Sequence, residues 1–308
     1  MKKEQNLKKF RTPKENRIKM SRQEWTYQIV INLIMVLVLV VCIVPLLYVL
    51  GMSLSSEGEM MERNYFIIIP RKPVITAYKY IITGTNFLHG MLVTIVRTAL
   101  GVVAALIFPI LLGYTLAKYD FPCRKGLMIY LIITMILSGG LIPSYLLMAQ
   151  LKLLNSFWVY IVPAFGNVYG VLVVKMFVEG LPQDVMDSAD LDGASELQKL
   201  SYIAIPLLKP TLCALGLFAA VAHWNDWFST MLYIRDANLH PAQFIIRNLL
   251  TQDSQTDISN RLVSVYVKMT PQSLKMASVV MAVLPILCVY PFLQKYFIYG
   301  MYTGSVKG

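Results

Sequence analysis

The amino-acid sequence predicts an all-α, polytopic membrane protein with about six transmembrane helices and a cytoplasmic elbow made of two short helices. The first observation is the composition: 56% of the 308 residues are hydrophobic, only 15% are charged, and the mean hydropathy is +0.58. An average soluble domain is about half apolar and about one quarter charged. The second observation is a series of long apolar runs, and the third is the uneven distribution of Lys and Arg between them. Together they exclude intrinsic disorder, a secreted disulfide scaffold and a typical cytosolic enzyme.

Six apolar runs are long enough to cross a bilayer, whose core of about 30 Å requires roughly 20 residues of helix. They are residues 27–50, 91–117, 127–149, 157–178, 211–234 and 276–298. The first run follows a polar segment and is too long for the core of a cleavable signal peptide, so we expect it to remain as a span. Gly, Pro and polar residues interrupt the second, third and fifth runs, and membrane helices tolerate them where neighbours bind the freed backbone groups.

The distribution of Lys and Arg predicts the orientation. With a cytoplasmic N-terminus, sixteen Lys and Arg fall on the cytoplasmic side and nine on the outer side, and nine of those sixteen lie in residues 1–26. Positively charged loops favour the cytoplasm, so we expect both termini there. The predicted parts are a basic cytoplasmic head (1–26), a transmembrane domain (27–300) and a cytoplasmic tail (301–308). The net charge of +11 is then mainly a topology signal, and nucleic acid is not an expected partner because no basic patch with interleaved aromatic residues occurs.

The loop at 179–210 differs from the rest of the predicted cytoplasmic side because it is acidic. Six of the 17 acidic residues of the chain lie between Glu179 and Glu196. Pro182 suits the first turn of a helix, and Gly193 can adopt the left-handed conformation that ends one. An acidic surface loop that is merely solvated is the alternative interpretation.

A second helix is predicted immediately after this glycine. Ser195 and Gln198 have the spacing of a capping box, which satisfies free backbone donors at a helix start. Pro206 and Pro210 are expected to end this helix before the fifth apolar run. The local chemistry therefore predicts two short helices joined at a glycine elbow.

One set of residues in this loop has a recognisable spacing: Asp187, Ser188, Ala189, Gly193, Ile203, Ile205 and Pro206. It resembles the EAA loop of ATP-binding-cassette importer permeases. That family's pattern is Glu-Ala-Ala, three residues, Gly, nine residues, Ile, one residue and Leu-Pro. The Gly, Ile and Pro are in register, and the departures are Asp187 for Glu, Ser188 for Ala and Ile205 for Leu.

Other segments are similar to the carbohydrate branch of the same family. L-S-G-G-L-I-P-S-Y-L-L at 137–147 looks like the third span of permeases for polysaccharide-derived oligosaccharides, and H-W-N-D-W-F at 223–228 looks like their fifth span. The end of the chain, 294–308, resembles the terminus of the maltose-type second permease. The resemblance covers roughly residues 27–308.

The resemblance implies the transmembrane subunit of an ATP-driven importer that moves a sugar, with an oligosaccharide expected, across the plasma (inner) membrane by alternating access. The implied partners are a second permease subunit, two copies of an ATPase subunit and an extracellular solute-binding protein, besides membrane lipid. The chain contains no phosphate-binding G-x-x-x-x-G-K-[ST] motif. ATP and Mg are therefore expected on the ATPase, with no cofactor on this chain, which is not expected to be an enzyme.

In that family the EAA loop forms coupling helices that dock in a cleft of the ATPase. By position, Asp187 would anchor a basic group of the ATPase, Ala189 and Gly193 would allow close approach, and Ile203 with Pro206 would fix the second helix. The tail resembles one that reaches toward the ATPases, although its small residues would also suit a frayed terminus. It consists of Gly304, Ser305, Val306, Lys307 and Gly308.

Polar residues inside membrane spans are costly and are candidates for function. The candidates for lining a solute path are His223, Trp224, Asn225, Asp226, Trp227, Gly139, Gly140 and Asn167. Hydrogen bonds between helices are the alternative for the polar ones, and close helix packing for the two glycines. Arg97 is expected to pair with Asp226 or to face the cavity, and Arg97 and Lys175 are possible counter-charges for an acidic glycan.

Two other classes of membrane protein are weaker alternatives. A polytopic enzyme could use His223 and Asp226 as acid, base or metal ligands, but without a second cluster they make a poor metal site, and the four scattered cysteines add none. An ion-coupled secondary transporter is expected to show internal repeats and several intramembrane carboxylates, whereas this sequence shows one such carboxylate.

Overall fold

The computed structural model describes residues 22–118, 120–137, 139–251 and 270–305, and within these ranges all regular secondary structure is helical, as predicted. The α-helices are α1 (Arg22–Ser53), α2 (Glu57–Glu62), α3 (Thr76–Gly84), α4 (Phe87–Ala117), α5 (Arg124–Ile136), α6 (Leu141–Gln150), α7 (Val168–Glu179), α8 (Gln183–Leu191), α9 (Glu196–Gln198), α10 (Ile205–Asn225), α11 (Phe228–Tyr233), α12 (Ala242–Thr251) and α13 (Pro271–Ser305). Short 3₁₀ helices lie at Phe157–Tyr160, Val162–Gly166 and Ala237–Leu239, and a π-helical segment, Lys199–Ala204, joins α9 to α10.

The chain divides into two compact units with a boundary between Tyr48 and Val49. The described part of the first unit is the larger part of α1. This helix has the highest mean hydropathy of the candidate spans, 3.2, and carries no charged residue after Glu24. It corresponds to the predicted first span. The other helices belong to the second unit.

Four helical segments of the described chain are long and apolar enough to cross a membrane: Gln23–Ser53, Phe87–Ala117, Glu196–Asn225 and Pro271–Cys288. Two further pairs reach this length only when both members are taken together. The pair α5 and α6 is bent by 113°, and the 3₁₀ helices at 157–166 are bent by 41° from α7. The described residues therefore contain four to six candidate crossings, which agrees with the predicted number.

The third predicted span, 127–149, is broken rather than continuous. Helix α5 ends at Ile136 and α6 begins at Leu141. Between them Gly140 has φ 83° and ψ −175°, a conformation that only glycine adopts without strain. A Cβ on Gly140 would meet nothing within 4 Å, so close packing does not explain this glycine. The chain is therefore unwound at Gly139 and Gly140.

The predicted start of the fifth span is wrong, because Pro206 and Pro210 do not end the second helix of the elbow. Helical structure is continuous from Glu196 to Asn225. A proline inside a helix lacks an amide donor, and its ring collides with the carbonyl four residues earlier. The π-helical segment directly before Pro206 is wider than an α-helix and gives this ring room.

The predicted end of the fifth span, residue 234, is also wrong. Helix α10 stops at Asn225, and Asp226 has extended backbone with ψ 107°. Its carboxylate accepts a hydrogen bond from the backbone N–H of Ser229 at 3.0 Å and thereby helps to start α11. The polar run at 223–227 therefore lies at the end of a helix and not inside one.

Helix α4 is the centre of the second unit, where it packs against α3, α7, α10 and α12. Its interface with α7 is close because of Gly113: a Cβ there would lie 2.9 Å from the carbonyl oxygen of Val171 and from Cβ of Val174. Small residues at such positions let membrane helices approach closely. Next to this contact a buried cluster joins α4, α7, the π-helical segment and α10: Tyr114, Val174, Leu200, Ala204, Leu208 and Leu215.

Candidate functional site

The elbow begins with α8 and ends that helix with a left-handed glycine. Gly193 has φ 74°, and its N–H donates to the carbonyl oxygen of Asp190 at 3.1 Å. The N–H of Ala194 donates to the carbonyl oxygen of Ala189 at 2.9 Å. This pair of bonds is the Schellman motif, which satisfies the last carbonyls of a helix. The predicted helix stop at Gly193 is confirmed.

The second helix starts two residues later with the predicted capping box. The N–H of Ser195 donates to the side-chain oxygen of Gln198 at 2.8 Å, and the N–H of Gln198 donates to the Ser195 hydroxyl at 3.4 Å. Both helix ends at the elbow are thus satisfied by residues of the elbow itself. Two helices meet here at a corner with no free linker between them.

The outer surface of the elbow carries exposed side chains of two kinds. Asp187 is exposed, and no side chain of the described residues forms an ion pair with it. Large apolar side chains surround the corner, with Leu191 90%, Leu197 71% and Tyr202 79% exposed. A groove of about 330 Å³ lies on the corner between the two helices. Its lining residues are Asp192, Gly193, Ala194, Gln198, Lys199, Tyr202 and Ile203.

The remaining predicted coupling residues lie within or beside the corner. Ala189 is buried and Ser188 donates to the carbonyl oxygen of Asp184 at 2.7 Å on the same helix. Ile203 and Ile205 are half-buried, and Pro206 is exposed. The structure therefore brings all seven of them into one elbow.

A charged network that the sequence did not suggest lies on the inner side of the elbow. Lys199 is 6% exposed, and its Nζ lies 2.5 Å from Asp190 and 2.7 Å from Glu196. Glu196 also accepts a hydrogen bond from the Tyr114 hydroxyl at 3.0 Å and pairs with Lys118. Burial lowers the pKa of Lys118, and repulsion by Lys199 adds to this. These groups connect the elbow to the end of α4.

A second polar cluster surrounds Arg97 of α4. The side chain of Arg97 is 2% exposed and forms an ion pair with the carboxylate of Asp226, as the sequence led us to expect. It also donates to the carbonyl oxygen of Asp226 at 2.8 Å. On its other side the guanidinium lies 4.1 Å from the ring centre of Tyr160. Burial of an unpaired charge is costly, and this arrangement surrounds the cation with an anion, a carbonyl and an aromatic face.

Tyr160 extends the cluster to two further segments. Its hydroxyl lies 2.9 Å from the hydroxyl of Thr230 and donates to the carbonyl oxygen of Leu239 at 3.0 Å. Two polar atoms of the cluster, Nε of Arg97 and Nδ1 of His223, find no hydrogen-bond partner among the described residues. Tyr160 had no distinguishing sequence signal, because its partners Arg97, Thr230 and Leu239 are all far away in the sequence.

One face of α4 makes three contacts at regular helical spacing. Arg97 binds Asp226, Gly101 leaves room for the ring of His223, and the carbonyl oxygen of Ala105 accepts from the amide of Asn167 at 3.1 Å. Positions 97, 101 and 105 are each about one helical turn apart, so they form a stripe, which we call the α4 seam. Asn167 also accepts from the N–H of Gly170 at 3.0 Å and starts α7, where the helical segments bend by 41°.

The other solute-path candidates are more exposed. Asn225 is exposed and donates to the carbonyl oxygen of Val221 on its own helix at 3.0 Å, while Trp224 and Trp227 are half-buried. The guanidinium of Arg247 lies 4.6 Å above the ring of Trp227. Whether any of these residues lines a solute path stays a prediction.

Lys175, the second possible counter-charge, is paired within the chain. Its Nζ lies 2.8 Å from both oxygens of the Glu179 carboxylate, which also pairs with Arg124. Arg97 and Lys175 are therefore each matched by a carboxylate of this chain. Within the described ranges no group of three His, Cys, Asp or Glu side chains could hold a metal ion.

Part of the predicted tail and head lies outside the described residues. Val306, Lys307 and Gly308 are not described, nor are residues 1–21 of the basic head. Gly304 and Ser305 are the last residues of α13.

Comparison with known proteins places this architecture in a family. The chain is 38% identical over 268 residues to Protein LplC of Bacillus subtilis (strain 168), covering 87% of this chain and 90% of that protein. It is 33% identical over 270 residues to the polygalacturonan/rhamnogalacturonan transport system permease protein YtcP of the same organism, covering 87% and 93%.

A solved structure shows the same fold. It belongs to a bacterial ABC transporter involved in the import of the acidic polysaccharide alginate. The TM-score is 0.81 at 27% sequence identity, with 90% of this chain and 99% of that chain covered. Residues 105–301, which include the elbow and most of the α10 to α13 region, match the family described as binding-protein-dependent transport system inner membrane component. The chain belongs to the family of binding-protein-dependent transport system inner membrane components.

Proposed function

We propose that this chain is the transmembrane subunit of an ATP-driven importer that moves an oligosaccharide across the plasma membrane by alternating access. The observation that carries the proposal is the elbow at 183–206. Its two helix ends are capped by its own residues, and it presents exposed apolar side chains and the Asp187 carboxylate, which has no ion pair among the described residues. A surface of this kind suits a protein partner, because exposed large apolar residues are otherwise unfavourable in water.

The partner at this surface would be an ATPase subunit. Asp187 is exposed and free for a basic group of the ATPase, and Leu191 and Leu197 would be buried in a cleft. ATP and Mg would bind to that subunit, with two copies per transporter. A second permease subunit would complete the pathway, and an extracellular solute-binding protein would deliver the sugar, which the family's description as binding-protein-dependent supports. The Lys and Arg distribution supports cytoplasmic termini, and with them a cytoplasmic elbow.

An oligosaccharide is the proposed solute because several relatives are described as oligosaccharide or polysaccharide transport proteins. They include the arabinooligosaccharide permease AraQ of Bacillus subtilis (strain 168), which is 25% identical over 296 residues. The two internal cations considered for an acidic sugar, Arg97 and Lys175, are already paired with Asp226 and Glu179. They therefore lend no support to selection of an acidic sugar over a neutral one.

The experiment is reconstitution of the complete transporter in vesicles with ATP on the elbow side and the solute-binding protein on the other. We expect ATP-dependent uptake of oligosaccharide, tested with a neutral and a uronate-containing oligosaccharide. Gly193→Pro should release the ATPase subunit or uncouple it, because proline cannot adopt φ 74° and would lose the bond to Asp190.

The matched control is Gln183→Pro in the same elbow. Gln183 is the first residue of α8, where proline is well tolerated, and the preceding Pro182 already has the extended conformation that a following proline requires. This variant should retain ATPase binding and uptake. Uptake that continues without ATP, or without the ATPase subunit, would contradict the proposed function.

A further inference from the structure

Lys199 is a buried cation in the inner corner of the elbow, and it connects three helical segments. It lies in the π-helical segment, and its Nζ is 2.5 Å from Asp190 on α8 and 2.7 Å from Glu196 on α9. Only 7% of its side chain is exposed, whereas each carboxylate is 57% exposed. The cation is therefore the shielded centre of the network, and the carboxylates are its outer ends.

The same network reaches α4 through the second oxygen of Glu196. That oxygen accepts from the Tyr114 hydroxyl at 3.0 Å and also contacts Nζ of Lys118, directly after α4. The ammonium of Lys118 lies 5.1 Å from the ring centre of Tyr114, so the two groups that hold Glu196 also support each other. Glu196 thus belongs to both the elbow and the end of α4.

Separating these segments would leave a buried ammonium without its carboxylates. Removing one partner of a buried ion pair is strongly unfavourable, and charge-assisted hydrogen bonds are the stronger kind. The covalent route from α8 to α4 is far longer, because 65 residues lie between Ala117 and Gln183. The ionic network is therefore a direct mechanical connection between two segments that are distant in sequence.

We propose that Lys199 is a positioning residue that locks α8 to the end of α4, so that movement of the elbow is delivered directly to α4. This proposal rests on the proposed function. In it, α4 receives the displacement at Tyr114 and carries it along the helix to the α4 seam, where Arg97 and Gly101 contact Asp226 and His223. The α4 route acts on Arg97, whereas helix α10, which continues from the elbow, leads to its partner Asp226.

The test compares three variants in the complete reconstituted transporter. Lys199→Met keeps the length of the side chain and removes its charge. Tyr114→Phe removes only the hydroxyl that joins Glu196 to α4, and it leaves the elbow's own ion pairs intact. Lys209→Met is the control, because Lys209 is exposed on α10 and has no ion pair among the described residues. The measurements are ATPase co-purification, ATP hydrolysis and the number of sugars taken up per ATP hydrolysed.

We expect uptake per ATP to fall about five-fold in Lys199→Met and about two-fold in Tyr114→Phe, which retains the Lys118 contact, while both variants keep the ATPase subunit and hydrolyse ATP. Lys209→Met should match the wild type. If Lys199→Met fails to assemble, Tyr114→Phe alone decides the question.

The proposal is wrong if uptake per ATP is unchanged in Tyr114→Phe and Lys199→Met either behaves like the wild type or does not assemble. It is also wrong if a loss of uptake follows loss of ATPase binding in equal measure, because Lys199 would then act in docking. A wild-type transporter without any ATP-dependent uptake would instead refute the proposed function, so the two failures are distinguishable.

Discussion

The ion pair between Arg97 and Asp226 should respond very differently to loss of one partner or the other. The side chain of Arg97 is 2% exposed, whereas that of Asp226 is 26% exposed. We predict that Asp226→Asn destabilises the protein more than Arg97→Met does, although both changes remove one charge from the same pair.

The magnitudes follow from what each variant leaves behind. In Asp226→Asn the buried guanidinium keeps a backbone carbonyl at 2.8 Å and the Tyr160 ring, and a neutral amide replaces its carboxylate partner. A buried charge left without a counter-charge costs about 3–5 kcal/mol. In Arg97→Met the carboxylate remains partly solvated and still accepts from the N–H of Ser229, so the cost is nearer 1–3 kcal/mol. The double variant has no unpaired charge and should be about as stable as Arg97→Met alone.

The assay is unfolding of the purified chain in mixed micelles of mild detergent and sodium dodecyl sulfate, followed by tryptophan fluorescence. The three variants and the wild type form a double-mutant cycle, which isolates the interaction between the two side chains. An Arg97→Met variant less stable than Asp226→Asn would refute this reasoning, and so would a double variant whose loss equals the sum of the single losses.

Two further variants test local features. Ser195→Ala removes the hydroxyl of the capping box and should destabilise the helix by about 1 kcal/mol. The measurement is hydrogen exchange, which should be faster at the backbone N–H groups of Gln198 and Lys199. Exchange at wild-type rates would mean that the cap does not stabilise the helix. Gly113→Val places a Cβ 2.9 Å from the carbonyl oxygen of Val171 and should lower the free energy of unfolding by about 1–3 kcal/mol, because it forces α4 away from α7. The control, Gly126→Val, lies on the open side of α5 and should have a much smaller effect. Equal losses of stability in the two variants would contradict the close-contact argument.

The elbow could be predicted from the sequence because its signals are local. Gly193 as a helix stop and Ser195 with Gln198 as a capping box each depend on residues fewer than six positions apart, and the structure shows both. The pairing of Arg97 with Asp226 was predictable for another reason. A charge within an apolar span needs a partner, and the sequence offers few carboxylates near the spans.

The proline positions and the inner network could not be predicted in the same way. Pro206 is a helix breaker by local rules, but the π-helical segment before it admits the ring and the helix continues. Asp226 was expected inside a span, whereas its bond to Ser229 ends one helix and starts another. Lys199 resembled an ordinary surface lysine of an acidic loop, because Tyr114 and Lys118, which complete its network through Glu196, are far away in the sequence.

The corner between α8 and α9 has a consequence for the thermodynamics of association. Residues 192–195 are the whole connection, and their backbone is held by the Schellman bonds of Gly193 and Ala194 and by the Ser195 cap. Fixing the backbone of a flexible residue costs about 1–2 kcal/mol of conformational entropy. If these four residues were flexible in the free protein, each would make the free energy of binding any partner less favourable by about that amount. Because folding has already ordered them, a protein that binds this corner loses little affinity to ordering, and a small patch of contacts suffices for a stable complex.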